Sequence, residues 1–125
     1  MCFFAVVFCQ FSFANKELSK LGFDVLTMDG SLDRSTVRDI AGDKAIQGDV
    51  DPAELIAAND KTVESVQQVV KGLLQDFGPQ KLIANLGEGL GGKEDPALVK
   101  TFVNTIHAES AKMIQNAKEE EEEEE

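Results

Sequence analysis

Apolar and polar residues alternate along the chain in blocks that predict β-strands separated by helices. A continuous apolar run is typical of a strand buried on both faces, and the first predicted strand is such a run. The predicted strands lie at residues 3–8, 24–28, 44–47 and 81–85. The first belongs to a longer apolar segment, Met1 to Ala14, which is too short to span a bilayer as a helix. No Lys or Arg precedes it, so we interpret it as a buried strand, with a targeting segment as the alternative.

Between these runs, apolar residues recur three and four positions apart, which predicts helices. Asp51 and Asp95 each precede a proline, and Asp at the N-cap followed by Pro at the first helical position is typical of a helix start. Asp60 is the predicted cap of a longer helix that ends at Phe77. The predicted helices cover residues 15–21, 34–41, a segment from Asp51, 60–77 and 95–118.

The alternation of strands and helices predicts an α/β fold of four parallel βα units. Four such units are half of a (β/α)8, or TIM, barrel. A small open sheet with helices on both faces has the same alternation. Periodicity does not choose between the two.

The chain has 125 residues and a formal net charge of −11, of which the final run Glu119–Glu125 supplies seven charges. We therefore predict one domain over residues 1–118 and a disordered acidic tail over 119–125. The rest of the chain is only mildly acidic and has no basic cluster. This composition argues against nucleic acid and against an anionic membrane surface as partners.

The two cysteines, Cys2 and Cys9, lie in the first apolar run. In one extended stretch they are too far apart to form a disulfide with each other, and no histidine or further cysteine stands near them. We interpret them as packed thiols and expect no metal site.

Acidic residues follow the predicted strands, at positions where a βα barrel has its active-site face: Asp29, Asp49, Asp51 and Glu88. Asp51 is most simply a helix cap, whereas Asp29 and Glu88 fit a turn or a site equally well. The glycine-rich segment Gly87–Gly92 matches a phosphate-binding loop only in part and has no Walker lysine. We interpret it as a flexible loop that faces a substrate.

Histidine and arginine offer little catalytic chemistry. His107, the only histidine, lies on the last predicted helix, away from any strand end, so a Ser-His-Asp or Cys-His arrangement cannot form. Arg34 and Arg38 are four residues apart on a short predicted helix, and we interpret them as surface charges.

Three motifs, in this order and spacing, resemble the closing motifs of the uroporphyrinogen decarboxylase family. They are Leu21-Gly-Phe-Asp-Val-Leu26 with Met28-Asp29, Ile46-Gln-Gly-Asp-Val-Asp-Pro52, and Ile83-Ala-Asn-Leu-Gly-Glu-Gly-Leu90. Asp76-Phe-Gly-Pro79 also fits. The resemblance covers roughly residues 5–117, and by this analogy the chain corresponds to the last four βα units of the barrel.

The resemblance implies an enzyme that decarboxylates the four acetate side chains of uroporphyrinogen to give coproporphyrinogen in haem and chlorophyll synthesis. Members of this family fold as (β/α)8 barrels, act as homodimers, use no cofactor or metal, and occur in the cytosol or in plastids. A single half-barrel would need a second copy or a complementary half-barrel.

The implied site residues are Glu88, Asn85, Gly87 and Asp29, all predicted to contact substrate. Glu88 stands where the family motif usually has a histidine that contacts the substrate, and Gly30 replaces the aromatic residue that usually follows Asp29. The family's N-terminal arginine motif and essential aspartate have no counterpart here. We therefore expect no proton donor in this chain and predict that it is inactive alone.

Two alternatives use the same scaffold. One is a non-catalytic relic or interaction module. The other is a corrinoid or thiol methyltransferase, which resembles this family in fold but binds zinc through His and Cys at strand ends. The positions of Cys2, Cys9 and His107 disfavour that group.

Overall fold

A computed structural model describes residues 5–7, 17 and 20–124. Its four strands are β1 (Ala5–Val7), β2 (Val25–Thr27), β3 (Ala45–Val50) and β4 (Leu82–Leu86). Its helices are α1 (Arg34–Ala41), α2 (Val63–Phe77) and α3 (Pro96–Glu124). Two short 3₁₀ turns, Pro52–Leu55 and Ala57–Asn59, connect β3 to α2.

The strands form one sheet in the order β1-β2-β3-β4, and every neighbouring pair is parallel. This confirms the α/β class and the parallel pairing. β1 confirms the first predicted strand for residues 5–7, whereas the rest of that strand and most of the predicted helix 15–21 lie outside the described residues. β3 continues past Gly48, where we expected it to end, and Asp49 and Val50 pair with Asn85 and Leu86 of β4.

All three helices pack on one face of the sheet. Leu26, Ile46 and Val50 belong to the same buried cluster as Val37 of α1, together with Val66, Val70, Leu73, Leu74 and Phe77 of α2 and Leu98 and Phe102 of α3. Ile83 and Asn85 of β4 lie on the opposite face and are exposed, Ile83 by 39%. Thr27, adjacent to core residue Leu26 in β2, is buried, and its hydroxyl has no hydrogen-bond partner in the described part of the chain.

Helix starts differ from the predictions at two places. Asp51 accepts a hydrogen bond from the Ala53 amide at 2.9 Å, as an N-cap does, but the element that follows is a 3₁₀ turn and not a helix. Asp60 does not cap α2. It has a left-handed φ of 59° after the second turn, and Thr62 caps the helix through a capping box with Ser65. The Thr62 hydroxyl accepts a hydrogen bond from the Ser65 amide, and the Ser65 hydroxyl accepts one from the Thr62 amide, so this start satisfies two free amides.

The acidic end of the chain is helical through Glu124, so the predicted disorder of 119–125 is wrong for the described residues 119–124. Glutamate has a high helix propensity, and α3 reaches this region already formed. The amide of Gln115 also donates to Glu119 one turn later, at 2.7 Å. Repulsion between glutamates costs only about 0.2–0.5 kcal/mol per pair one turn apart.

Candidate functional site at the strand ends

The carboxyl ends of β2, β3 and β4 approach one another closely because glycines stand at the contact points. A side chain at Gly87 would place its Cβ 3.1 Å from the carbonyl oxygen of Asp49 and within 3.0 Å of that of Asp29. A Cβ at Gly30 would lie 2.7 Å from the Asp49 carbonyl oxygen. The Gly87 amide donates to the carbonyl of Val50 at 2.7 Å, which ties the loop after β4 to the end of β3.

This convergence brings the predicted site residues to one edge of the sheet. Asn85 pairs in register with Asp49, and Gly87 lies against the backbone of Asp29. The Asp29 carboxylate accepts a hydrogen bond from the Ser31 amide at 2.9 Å, so Asp29 shapes the turn after β2. Asn85 and Glu88 are exposed.

Arg34 is not a surface charge, contrary to the sequence interpretation. Its guanidinium contacts Asp49 at 3.0 Å and Asp76 at 3.0 Å, and the Asp49 side chain is only 4% exposed. Burial alone would lower the pKa of Arg34, but the hydrogen bonds to Asp49 and Asp76 outweigh it and raise the pKa. Arg34 therefore neutralises a buried carboxylate at the end of β3.

Arg38 is also structural. It donates to the carbonyl of Phe77 at 2.8 Å and to that of Lys44 at 3.3 Å. The Phe77 ring lies 5.6 Å from the Arg34 guanidinium and 5.9 Å from that of Arg38. The two arginines therefore join α1 to the carboxyl end of α2, which the apolar pattern of either helix does not indicate.

A cleft of about 470 Å³ opens beside the Arg34–Asp49 pair. Its charged lining consists of one arginine and five carboxylates: Arg34 with Asp33, Asp49, Asp51, Glu54 and Asp76. A hydrogen bond from the Ser35 hydroxyl lowers the pKa of Asp33, which favours its charged form. With Arg34 already paired, the excess of carboxylates makes the cleft repel anions.

Glu94 is a residue that the sequence reasoning missed. Its two carboxylate oxygens accept separate hydrogen bonds from the amides of Gly91 and Gly92, both at 2.8 Å. The Gly91 amide, followed by those of Glu94 itself and of Gly92, lowers the pKa of Glu94. The glycine-rich loop is therefore tied back on itself. The only sequence signal is a glutamate placed shortly after consecutive glycines.

We expect acidification to release this loop. Because the pKa of Glu94 is lowered from 4.5, the hydrogen-bonded form is favoured above pH 4.5 and is lost as the pH falls through the lowered value. The Gly91 and Gly92 amide resonances, followed by NMR, should titrate together below pH 4.5. In Glu94→Gln, which has no carboxyl group at this position, the two resonances should not show this titration. If they titrated as in the unsubstituted chain, the assignment to Glu94 would be wrong.

Among the described residues, the remaining candidate group does not join the strand ends. His107 is exposed on α3, and Cys2 and Cys9 lie outside the described residues. Within the described ranges, no group of three or more His, Cys, Asp or Glu side chains is arranged to hold a metal ion. No helix in the described part of the chain has the length and apolar character needed to cross a membrane.

Comparison with known proteins identifies the family. The family model described as uroporphyrinogen decarboxylase (URO-D) matches residues 4–109. The human uroporphyrinogen decarboxylase is 38% identical over 105 residues, which are 83% of this chain and 28% of the human protein. The mouse protein is 39% identical over 106 residues, again 83% and 28% of the two chains, and that of Salinibacter ruber is 35% identical over 102 residues, 81% and 28%. The chain thus spans about 28% of the length of these relatives, and it belongs to the uroporphyrinogen decarboxylase family.

Proposed function

We propose that this chain supplies the last four βα units of a (β/α)8 decarboxylase that converts uroporphyrinogen to coproporphyrinogen, in the cytosol or a plastid. The observation that carries this proposal is the parallel sheet with its helices on one face and converging strand ends. In a βα barrel, helices cover the outside and the site lies at the carboxyl ends of the strands. The face with Ile83 and Asn85, against which none of the helices α1 to α3 packs, corresponds to the barrel interior.

Asp29, Asn85, Gly87 and Glu88 are the residues that we propose to contact substrate. The exposed Asn85 amide can donate a hydrogen bond to a carboxylate, and Gly87 lets the backbone approach without a side chain. Asp29 and Asp49 lie too close to this edge for an anion to bind without opposing donors. These donors, and the proton donor of the reaction, would come from the complementary half of the barrel.

Glu88 determines how well a polycarboxylate binds. At a few ångströms, two carboxylates repel by about 1–4 kcal/mol at effective dielectrics between those of water and the protein surface. Replacing Glu88 with histidine should therefore tighten porphyrinogen binding by about fivefold or more.

The test uses a chimeric human enzyme in which this chain replaces the matching segment of 105 residues. Isothermal titration would give the affinity for uroporphyrinogen, and fluorescence of the oxidised products would give the activity. Equal affinity of the original and Glu88→His chimeras would show that position 88 does not face substrate. A folded Glu88→His chimera that binds no uroporphyrinogen would contradict the proposed function and favour a non-catalytic module.

The partner that we propose is a second copy or a complementary half-barrel. The outer strands β1 and β4 each pair on one side only among the described residues. Unpaired strand edges promote association with other chains.

The isolated chain should therefore form dimers or larger assemblies at micromolar concentration. Exposed Ile83 and the free edge of β4 favour association, whereas the acidic end of α3 adds charge that opposes aggregation. Light scattering after size-exclusion chromatography measures the mass. A monomer with cooperative thermal unfolding would instead favour a self-sufficient α/β domain.

A further inference from the structure

We propose that the consecutive amides of Gly91 and Gly92 form a carboxylate-binding subsite, which Glu94 occupies until a carboxylate ligand displaces it. Each amide donates to a different oxygen of the same carboxylate, and both distances are 2.8 Å. Successive backbone amides that converge in this way form an anion-binding nest. Gly92 adopts a φ of 93°, a conformation that residues with a side chain rarely adopt.

The subsite lies where a ligand can reach it. Gly91 and Gly92 are exposed, and they follow β4 in the same loop as Glu88, at the edge where the strand ends converge. A Cβ at Gly92 would meet nothing within 4 Å, so the space beside its Cα is open. Lys93, the next residue in the sequence, adds a positive charge to the loop. The loop therefore offers donors to an anion although Glu88 in the same loop repels one.

Glu94 acts as an internal competitor for the two amides. A group on a short segment of the same chain competes with an effective concentration in the millimolar range. The lowered pKa of Glu94 is consistent with amides that favour the charged carboxylate over the neutral acid. A ligand with several carboxylates can displace Glu94 because its other groups hold it nearby. The choice of a ligand with several carboxylates rests on the proposed function. The subsite itself is inferred from the hydrogen bonds of the Gly91 and Gly92 amides and does not depend on that function.

The experiment titrates sodium acetate into the full-length chain and follows the Gly91 and Gly92 amide resonances by NMR, with sodium chloride as the control for ionic strength. In Glu94→Ala both resonances should shift in a saturable way, with an acetate affinity at least about tenfold above that of the unsubstituted chain. The resonance of the Gly42 amide, which donates to the backbone carbonyl of Arg38 at 3.1 Å, should not shift. Glu94→Gln, which keeps the side-chain length, should also bind acetate more tightly than the unsubstituted chain.

Adding Gly91→Pro to Glu94→Ala removes one of the two donors and should abolish the saturable response. Equal acetate affinity in the unsubstituted chain and both Glu94 variants would overturn the proposal, as would resonances of Gly91 and Gly92 that do not respond. Acetate binding by Glu94→Ala would uphold the subsite even if the chimeric enzyme failed to bind uroporphyrinogen. Failure of the subsite proposal can therefore be distinguished from failure of the proposed function.

Discussion

Replacing Gly87 with alanine should destabilise the fold by about 3 kcal/mol, because the new Cβ would collide with backbone atoms. It would lie within 3.0 Å of the Asp29 carbonyl oxygen and 3.1 Å from that of Asp49. Neither oxygen belongs to a flexible side chain. The collision can therefore be relieved only if the loop after β4 moves away from the ends of β2 and β3. Urea unfolding, followed by circular dichroism at fixed protein concentration, measures the change in the free energy of unfolding.

Gly89→Ala is the matched control. Gly89 lies two residues further along the same loop, and a Cβ there would meet nothing within 4 Å. Its replacement should change stability by less than about 0.5 kcal/mol, as is usual for an exposed position. If both variants lost the same stability, the close approach of the strand ends would not be the cause.

Replacing Asp49 with alanine should cost roughly 3 kcal/mol, near the lower limit for breaking a buried ion pair. The Asp49 side chain is 4% exposed and pairs with Arg34 at 3.0 Å, so its loss removes the principal partner of a partly buried guanidinium. The cost stays near that limit because Arg34 is 25% exposed and keeps its contact with Asp76. The same urea unfolding experiment gives the value.

Asp76→Ala tests the other partner of Arg34. The Asp76 side chain is 51% exposed and also contacts Arg34 at 3.0 Å. Water already solvates much of this pair, so the loss should be no more than about 1 kcal/mol. A larger loss for Asp76 than for Asp49 would show that the exposed pair with α2, and not the buried pair at the end of β3, holds α1 in place.

The local pattern of apolar residues predicted α2 and two of the strands correctly. The apolar stripe that includes Val66, Val70 and Leu73 lies buried on α2, and the strands at 24–28 and 81–85 appear within one residue of their predicted ends. These signals are local, since a helix or buried strand shows its period over a few turns or residues.

Contacts between distant parts of the chain were not predictable in this way. Arg34 and Arg38 have the spacing of an exposed helical face, and their partners Asp49, Asp76 and Phe77 become neighbours only when α1 packs beside α2. The same holds for Glu94, whose carboxylate meets two amides only after the loop turns back.

The amino-acid sequence by itself determined the βα order, the positions of the strands and the family motifs, because each depends on residue types a short distance apart. Only the tertiary structure decided that the helices α1 to α3 share one face and that Gly87 lies against the backbones of two strand ends. It also decided that Arg34 neutralises a buried carboxylate. These features depend on distances between segments that are far apart in the chain, and such distances exist only once the sheet and its helices have packed.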